Sequence, residues 1–316
     1  MKKLLTLVLA LTMVFALAAP SAFAADSYTV GICQLVQHPA LDAATQGFKD
    51  ALTKALGDKV TFVEQNASGD SATCAVICNQ FVSDEVDLIM ANATPALLAA
   101  QAATNKIPVL GTSVTDYASA LDIDDWKGST GTNISGTSDG VPAAELAAVV
   151  NELFPDAKNV GLLYCSGEPN SKFQADEIRP VLEEMGYKVT DFTFADSNDV
   201  SAVTNNACDD CDVLYIPTDN TAASNAELIN NVALSKKVPI VAGEENLCAG
   251  CGVATLSISY YDLGTVTGEM AAKILSEGTD VSTMEIEYAP FAKKFNKTNC
   301  DILGITVPEA YEAIAE

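Results

Sequence analysis

The sequence has 316 residues and a formal net charge of −25, because 42 acidic residues outnumber 17 lysines and arginines. Nucleic acids and anionic membranes repel such a chain, so we expect neither as a partner. A single histidine, His38, and a single arginine, Arg179, leave too few side chains for a hydrolytic triad, a multi-histidine centre or an arginine fork around an anion. The composition therefore predicts a protein that is not an enzyme and uses no cofactor.

The N-terminus has the pattern of a cleaved signal peptide. Two lysines precede an apolar run from Leu4 to Ala19, and a small-x-small sequence ends at Ala24. The run is too short for a comfortable membrane span, which disfavours an uncleaved anchor. No cysteine follows it at the position where a lipid would be attached. We therefore predict a signal peptide at 1–24, cleaved after Ala24, and a secreted or periplasmic protein that is not inserted in the membrane.

From residue 28 onward, short apolar strands alternate with longer amphipathic helices. In the first half of the chain we predict strands at 28–33, 60–64, 87–90 and 107–110, and helices at 39–54, 71–82 and 95–103. Continuous apolar strands separated by helices are typical of βαβ units around a buried parallel sheet.

The pattern then restarts in the second half of the chain. Segments 159–164, 212–218 and 238–240 resemble 28–33, 87–93 and 107–109. The spacings agree as well, with 56 residues from Gly31 to Asp87 and 51 from Gly161 to Asp212. We therefore predict two α/β lobes, each a doubly wound parallel sheet that binds ligands at the carboxyl ends of its strands.

Segment 126–140 is rich in Gly, Ser and Thr, a composition that suits a crossover between the lobes. A helix predicted at 261–277 and the segment after it cross back, so we expect a multi-strand hinge. The expected boundaries are 25–138 plus about 258–288 for lobe I, and 139–257 plus about 289–316 for lobe II.

The sequence Gly136-Thr-Ser138-Asp-Gly140 has the spacing of a nucleophile elbow. Hydrolases with that motif need a histidine base later in the chain, and none follows His38. We therefore interpret the segment as a hinge loop.

Nine cysteines are unusual in an exported protein. Six form close pairs, Cys74/Cys78, Cys208/Cys211 and Cys248/Cys251, and three stand apart. Redox catalysis is disfavoured, because Cys208 precedes a strand rather than opening a helix after one. Local disulfides, a four-cysteine zinc site and free thiols all remain open.

Polar residues follow the predicted strands of the first lobe at the ligand edge. Thr94 and the proline after it suit the start of a helix, where free N–H groups and the helix dipole favour a carboxylate. Ser113 ends the next strand at the same edge. We predict an anion site at these two residues.

The facing edge of the second lobe is acidic. Asp219 follows the strand that ends near residue 216 and is placed to face an ammonium group, while Asn220 either caps a helix or contacts the ligand. Glu168 and Glu244 follow two further strands. An anion site on one lobe and acids on the other match the two ends of an α-amino acid.

At these loops the chain resembles ABC-transporter solute-binding proteins of the tryptophan and aromatic amino acid type. The likeness covers nearly the whole chain after residue 25 and is carried by Val30-Gly-Ile-Cys-Gln34, Phe81-Val-Ser-Asp, Ala93-Thr-Pro, Val114-Thr-Asp, Gly136-Thr-Ser-Asp, Glu168-Pro-Asn-Ser, Tyr215-Ile-Pro-Thr-Asp-Asn220, Gly243-Glu-Glu-Asn and Ile258-Ser-Tyr-Tyr-Asp-Leu-Gly264.

The resemblance implies a type I periplasmic-binding fold that closes on a small ligand, commonly an aromatic or other apolar amino acid, and delivers it to a permease with its ATPase. Carried over position by position, it places at the cleft edge Gln34, His38, Thr94, Ser113, Glu168, Asn170, Asp219 and Glu244. The cysteine pairs depart from the pattern, as do Cys33 and Cys165 beside the cleft. Two other functions stay open: a ligand-sensing receptor or surface adhesin on the same fold, and an extracellular cysteine-based metal or redox protein.

Overall fold

A computed structural model describes residues 27–314, and the predicted signal peptide at 1–24 lies outside this range. Within it the chain forms two β-sheets, each covered by helices on both faces. The prediction of two α/β lobes built on parallel sheets is therefore confirmed.

The strands, in chain order, are β1 (Tyr28–Gln34), β2 (Val60–Asn66), β3 (Leu88–Asn92), β4 (Val109–Val114), β5 (Ile134–Ser138), β6 (Asn159–Cys165), β7 (Lys188–Phe194), β8 (Val213–Ile216), β9 (Ile240–Ala242), β10 (Ala254–Ser257), β11 (Glu287–Tyr288), β12 (Ala292–Phe295) and β13 (Glu312–Ala313). The helices are α1 (Pro39–Leu56), α2 (Ser71–Ser83), α3 (Thr94–Ala103), α4 (Tyr117–Ala120), α5 (Ala143–Leu153), α6 (Pro169–Glu184), α7 (Val200–Asp210), α8 (Asn220–Ser224), α9 (Ala226–Lys236), α10 (Glu245–Cys251), α11 (Tyr260–Glu277) and α12 (Lys297–Leu303). Short 3₁₀ turns lie at Gly57–Lys59 and Val281–Thr283.

The first lobe is built on a six-stranded sheet in the order β11-β5-β4-β3-β1-β2, with parallel pairing throughout. Alternate residues of β1 point to opposite faces. Val30 and Ile32 pack against α1 and α11, and Cys33 packs against α2 and α3. Both faces are buried, which is why the strands are continuously apolar in sequence.

The second lobe is built on a seven-stranded sheet in the order β13-β12-β10-β9-β8-β6-β7. Its main strands are parallel, with α5 and α6 on one face and α7, α9 and α10 on the other. Strand β12 runs antiparallel to β10, so the edge of this sheet departs from the purely parallel pattern.

Between residues 27 and 314 the chain passes from one sheet to the other three times. It leaves the first sheet after β5, returns after β10 through α11, and leaves again between β11 and β12. Three crossing segments therefore connect the lobes, at about 139–142, 258–259 and 289–291. Tyr260 bonds to Asp139 and packs with Ala289, so the segments contact one another and can act together as a hinge.

Helices α1 and α11 are held close together by glycines. A Cβ atom on Gly264 would lie 2.0 Å from the carbonyl oxygen of Ala44, and one on Gly47 would lie 2.1 Å from that of Tyr261. The backbones can approach this closely only because both positions lack a side chain. The contact ties α11, which follows a crossing segment, firmly to the first lobe.

Candidate ligand-binding cleft

A buried polar space lies where the carboxyl ends of the strands of the two lobes face each other. It is lined by His38, Leu41, Ser113, Thr115, Asp139, Asn170, Thr218, Asp219, Asn220, Ala223, Glu244 and Tyr260. Its volume is about 10 Å³, roughly the room that one water molecule needs. The lobes are therefore closed on each other, and an amino acid can reach this space only if they separate.

A hydrogen bond joins the two lobes across this space. Nε2 of His38 lies 3.1 Å from Oδ1 of Asn220. The Asn220 amide nitrogen already donates to Glu168, so its oxygen is the acceptor and Nε2 carries the proton. Burial lowers the pKa of His38, which favours the neutral ring. In that tautomer Nδ1 is a bare acceptor.

Four buried polar atoms that line the cleft have no hydrogen-bond partner among the described residues. They are Nδ1 of His38, Oγ of Ser113, Oδ1 of Asp139 and Oδ1 of Asn170. Leaving one buried polar atom unsatisfied costs about 1–3 kcal/mol. Four such atoms around one closed space therefore indicate a place where a polar ligand supplies the missing partners.

Asp139 lies in the first crossing segment and is the one acid among these four residues. Its Oδ2 accepts a 2.8 Å hydrogen bond from the hydroxyl of Tyr260, in the segment that crosses back. Burial raises the pKa of Asp139, and its other carboxylate oxygen has no hydrogen-bond partner among the described residues. A ligand cation beside that oxygen would stabilise the ionised carboxylate.

Thr94 and Ser113 lie at the carboxyl ends of the neighbouring strands β3 and β4; Ser113 lines the cleft, whereas Thr94 lies beside it, next to Asn170. Thr94 opens α3, and within the described residues no side chain caps that helix. Its Oγ1 is buried and unpartnered, like the Ser113 hydroxyl. Ala93 and Ser113 both have left-handed backbones, with φ of 91° and 54°. Such conformations cost energy in residues other than glycine and concentrate at binding sites.

The Glu168 carboxylate is hydrogen-bonded to residues of its own lobe. One carboxylate oxygen accepts from the backbone and side-chain nitrogens of Asn220, at 3.0 and 2.6 Å, and the other from the backbone N–H and hydroxyl of Thr221, at 2.8 and 2.7 Å. It therefore holds the start of α8, and through Asn220 it orients the contact with His38.

Asp219 and Glu244 line the cleft and also cap helices. Asp219 accepts backbone N–H groups from Ala222 at 2.7 Å and Cys165 at 2.6 Å, one on each oxygen. Glu244 accepts the N–H groups of Asn246, at 2.6 Å, and Leu247. Burial raises the pKa of Asp219 to about 8 and that of Glu244 to about 7. A cation in the cleft would lower both values, because it stabilises the charged forms.

The two remaining predicted residues, Asn170 and Gln34, make different kinds of contact. Asn170 donates to the carbonyl of Thr218 at 2.8 Å and leaves its own carbonyl oxygen free in the cleft. Gln34 does not line the cleft. Its oxygen accepts from the hydroxyl of Thr45 at 2.6 Å, and its nitrogen donates to Asp42 at 2.7 Å. Gln34 therefore fixes α1, which begins directly after His38.

Sequence reasoning missed Asp139 and Tyr260 as cleft residues. Both belong to segments that were recognised, Gly136-Thr-Ser-Asp and Ile258-Ser-Tyr-Tyr-Asp, but these were interpreted only as hinge. The polar residues of a segment that becomes buried between the lobes could have indicated that Asp139 and Tyr260 line the cleft. Ser138 of the same segment donates to the carbonyl of Thr115 at 2.9 Å and ends β5.

The cysteines form no bridge in this structure. All nine are buried free thiols, and residues 27–314 contain no group of His, Cys, Asp and Glu that could hold a metal ion. Contacts with Cys74 and Cys78, together with burial, raise the pKa of Cys33. The thiols of the Cys208/Cys211 and Cys248/Cys251 pairs belong to one apolar cluster of the second lobe.

Within the described range, no helix is long and apolar enough to span a membrane.

Comparisons with known proteins agree with this architecture. Residues 29–316 match the family described as ABC transporter substrate binding protein. A tyrosine-binding protein from Clostridioides difficile is 37% identical over 260 residues, which cover 81% of this chain and 75% of that one.

Two solved structures are also similar. An ABC domain in complex with L-Trp from Streptococcus pneumoniae superposes with a TM-score of 0.85 at 30% identity, covering 90% of this chain and 96% of that one. The ligand-free, open structure of a substrate-binding protein with adhesive properties from Clostridium difficile superposes with a TM-score of 0.68 at 36% identity. The match covers 91% of this chain and 99% of that one.

The family consists of substrate-binding proteins, which confirms the prediction of a non-enzymatic binding function. Solute-binding proteins of this kind act outside the cytoplasm and work with an ABC transporter. The chain therefore belongs to the ABC transporter substrate-binding protein family and has the type I periplasmic-binding fold.

Proposed function

We propose that this chain is the solute receptor of an ABC importer and that it closes on an aromatic amino acid. The observation that carries the proposal is the set of four unpartnered atoms in the closed cleft, among them an oxygen of the buried Asp139 carboxylate. The ligands named for two relatives, tyrosine and L-Trp, support the same class of solute.

The ammonium group of the ligand fits beside Asp139. Its three N–H groups match Oδ1 of Asp139, Oδ1 of Asn170 and Nδ1 of His38, each an acceptor without a partner among the described atoms. Asp219 and Glu244 also line the cleft, and a bound ammonium group would favour their ionised forms without direct contact. Charged hydrogen bonds in a dry site are worth about 1.5–3 kcal/mol each.

The carboxylate of the ligand fits at Thr94 and Ser113. Two hydroxyls and the uncapped start of α3 offer hydrogen-bond donors, and the helix dipole favours a negative charge there. Leu41, Ala223 and Tyr260 supply apolar and aromatic surface to the lining. All nine residues predicted from sequence thus keep a direct or supporting role in the proposal.

Hinge closure is the proposed mechanism. The chain overlaps better with the relative in complex with L-Trp than with the ligand-free open one, although its identity to the open one is higher. This difference supports two lobe arrangements, the closed one being favoured by ligand. The predicted lobe boundaries at 138/139, about 258 and about 288 stay a proposal, as do export by the segment 1–24, cleavage after Ala24 and delivery to a permease and its ATPase.

A thermal-unfolding screen of the chain from Ala25 onward tests the ligand class. The panel is the twenty amino acids, purine nucleosides and simple sugars, because any compound that binds the folded form raises the melting temperature. We expect a rise with Tyr, Trp or Phe. A rise only with sugars or nucleosides, or none with any amino acid, would remove the aromatic amino acid from the proposal.

A second candidate function is attachment at the cell surface. One similar solved structure is described as a substrate-binding protein with adhesive properties. Deleting the gene separates the two functions, since an importer component is needed for growth on its solute and an adhesin for attachment to a host surface. Loss of attachment with normal uptake would favour the adhesin.

A further inference from the structure

A second cavity lies beside the crossing segments. It has a volume of about 380 Å³ and shares only Thr115 with the cleft lining. We call it the hinge-side cavity; its apolar walls include Val141, Leu146, Ile178 and Phe291. The volume lies within the range of small-molecule pockets.

One residue that lines this cavity has a hydroxyl with no hydrogen-bond partner among the described residues. Tyr215, on β8, is fully buried and lines the cavity. Its OH makes no hydrogen bond with any described residue. Burial raises the pKa of Tyr215, so the phenol stays protonated and can both donate and accept a hydrogen bond. A buried tyrosine hydroxyl normally has a partner, and here the adjoining space is large enough for a ligand to provide one.

Aromatic side chains stand around the opening. Phe173 is half-buried, whereas Tyr288 is 59% exposed and Phe291 is 41% exposed. Rings in this position offer edges and faces on which another ring can pack. The acids Asp116 and Glu177 also line the cavity and would repel an anion. An ammonium group would lose its hydration against the apolar walls, so an uncharged molecule fits best.

We propose that the hinge-side cavity binds a small uncharged aromatic molecule that carries one hydroxyl or N–H group. The ring packs among the apolar walls and the rim aromatics, and the polar group bonds to the OH of Tyr215. Both lobes and two crossing segments line the cavity, so a bound molecule contacts the parts that move in closure. This site goes beyond the amino acid cleft and does not depend on the ligand proposed there.

The test uses p-cresol, which has the ring and the hydroxyl but lacks the charged ends that the cleft requires. Its binding to the chain from Ala25 onward is titrated by saturation-transfer NMR. We expect saturable binding that is weakened about five-fold or more in Tyr215→Phe and abolished in Ala143→Phe. Ala143 is half-buried, and the larger ring fills the cavity. Ser113→Ala, a change in the cleft, leaves the binding of p-cresol unchanged.

Each variant is first checked for folding by circular dichroism and thermal unfolding. Tyr215→Phe has a melting temperature equal to or above that of the parent, because it removes an unpartnered polar group. Absence of saturable binding to the parent chain overturns the proposal. Undiminished binding to Ala143→Phe, or a loss in Ser113→Ala alone, also overturns it, since the compound would then lie elsewhere.

Discussion

Asp139, Asp219 and Glu244 line the cleft and Glu168 lies beside it, bonded to Asn220, yet these four buried acids make different hydrogen bonds. Glu168, Asp219 and Glu244 accept backbone N–H groups at the starts of helices, where such groups are otherwise unpaired. Asp139 lies in a crossing segment, and only one of its side-chain oxygens has a partner among the described residues, the hydroxyl of Tyr260. Three of the acids are therefore bonded to the starts of helices, whereas Asp139 keeps one carboxylate oxygen available for a ligand.

Replacing Asp139 by Asn tests this assignment. The amide keeps the shape and can still accept from Tyr260, but it loses the charge that would pair with an ammonium group. We expect the affinity for the amino acid ligand to fall roughly 10- to 100-fold, since a charged hydrogen bond is worth about 1.5–3 kcal/mol. Calorimetric titration measures it, with Glu277→Gln on an exposed helix end as the control. Equal affinities for Asp139→Asn and the parent would exclude Asp139 as the ammonium partner.

The raised pKa of Glu244, about 7, makes stability depend on pH. Between pH 4.5 and 7 the folded protein binds a proton at Glu244 that the unfolded chain has released, so the free energy of unfolding falls as the pH rises. We expect the ligand-free protein to lose about 1–3 kcal/mol from this group between pH 5 and 8. Denaturant unfolding in Glu244→Gln should show a flatter slope over this range. An identical slope in the variant would contradict the predicted titration.

Sequence alone located most of the loops that line the cleft but not the function of each acid. A carboxylate that follows a strand can cap the next helix or contact a ligand, and the two cases look the same in sequence. Asp219 was predicted to face an ammonium group. In the folded chain it bonds the N–H groups of Ala222 and Cys165, and the contact with Cys165 depends on how two distant strands pair. Whether Asp219 also contacts the ligand stays a prediction.

At the scale of elements, apolar periodicity predicted the central strands of both sheets and most helices of the first lobe. The helix predicted at 39–54 corresponds to α1, Pro39–Leu56. Elements near the hinge were missed. Strand β5 is made of Ile, Ser, Gly and Thr and was interpreted as loop, and β11 and β13 have two residues each. Such short or polar strands form because a neighbouring strand is already in place, which local sequence does not reveal.

The close contact of α1 with α11 gives a prediction at this scale. Gly264→Ala would place a methyl group 2.0 Å from the carbonyl oxygen of Ala44, so the helices must move apart. We expect the free energy of unfolding to fall by about 1–3 kcal/mol, the usual cost of overpacking. Denaturant titration measures the change, with Glu269→Ala on the exposed face of α11 as a matched control. Similar stabilities for the two variants would show that the helices are not held at this distance.

At the scale of the whole molecule, few interactions across the cleft stabilise the closed arrangement of the lobes when no ligand is bound. Asp139, Asp219 and Glu244 line the cleft from the crossing segment and the second lobe, and they repel one another when ionised. Among the described residues, the hydrogen bond from His38 to Asn220 joins the facing loops of the two lobes. A ligand with a positive and a negative end would offset the repulsion and supply the missing partners.

Small-angle scattering tests this account of closure. We expect the radius of gyration of the free protein to decrease when the ligand is added. The ligand-induced decrease should become smaller in His38→Ala, which lacks the contact between the lobes. A radius that does not change on binding would mean that the protein is already closed in solution.

The central claim is that the cleft recognises both ends of an aromatic amino acid. Calorimetric titration of the chain from Ala25 onward with L-tyrosine and L-tryptophan tests it most directly, alongside tyramine, which lacks the carboxylate, and 3-(4-hydroxyphenyl)propionate, which lacks the ammonium group. We predict that at least one of the amino acids binds and that removing either end weakens the binding of the tyrosine series by roughly 10-fold or more. Equal binding of the truncated compounds, or no binding of either amino acid, would contradict the account.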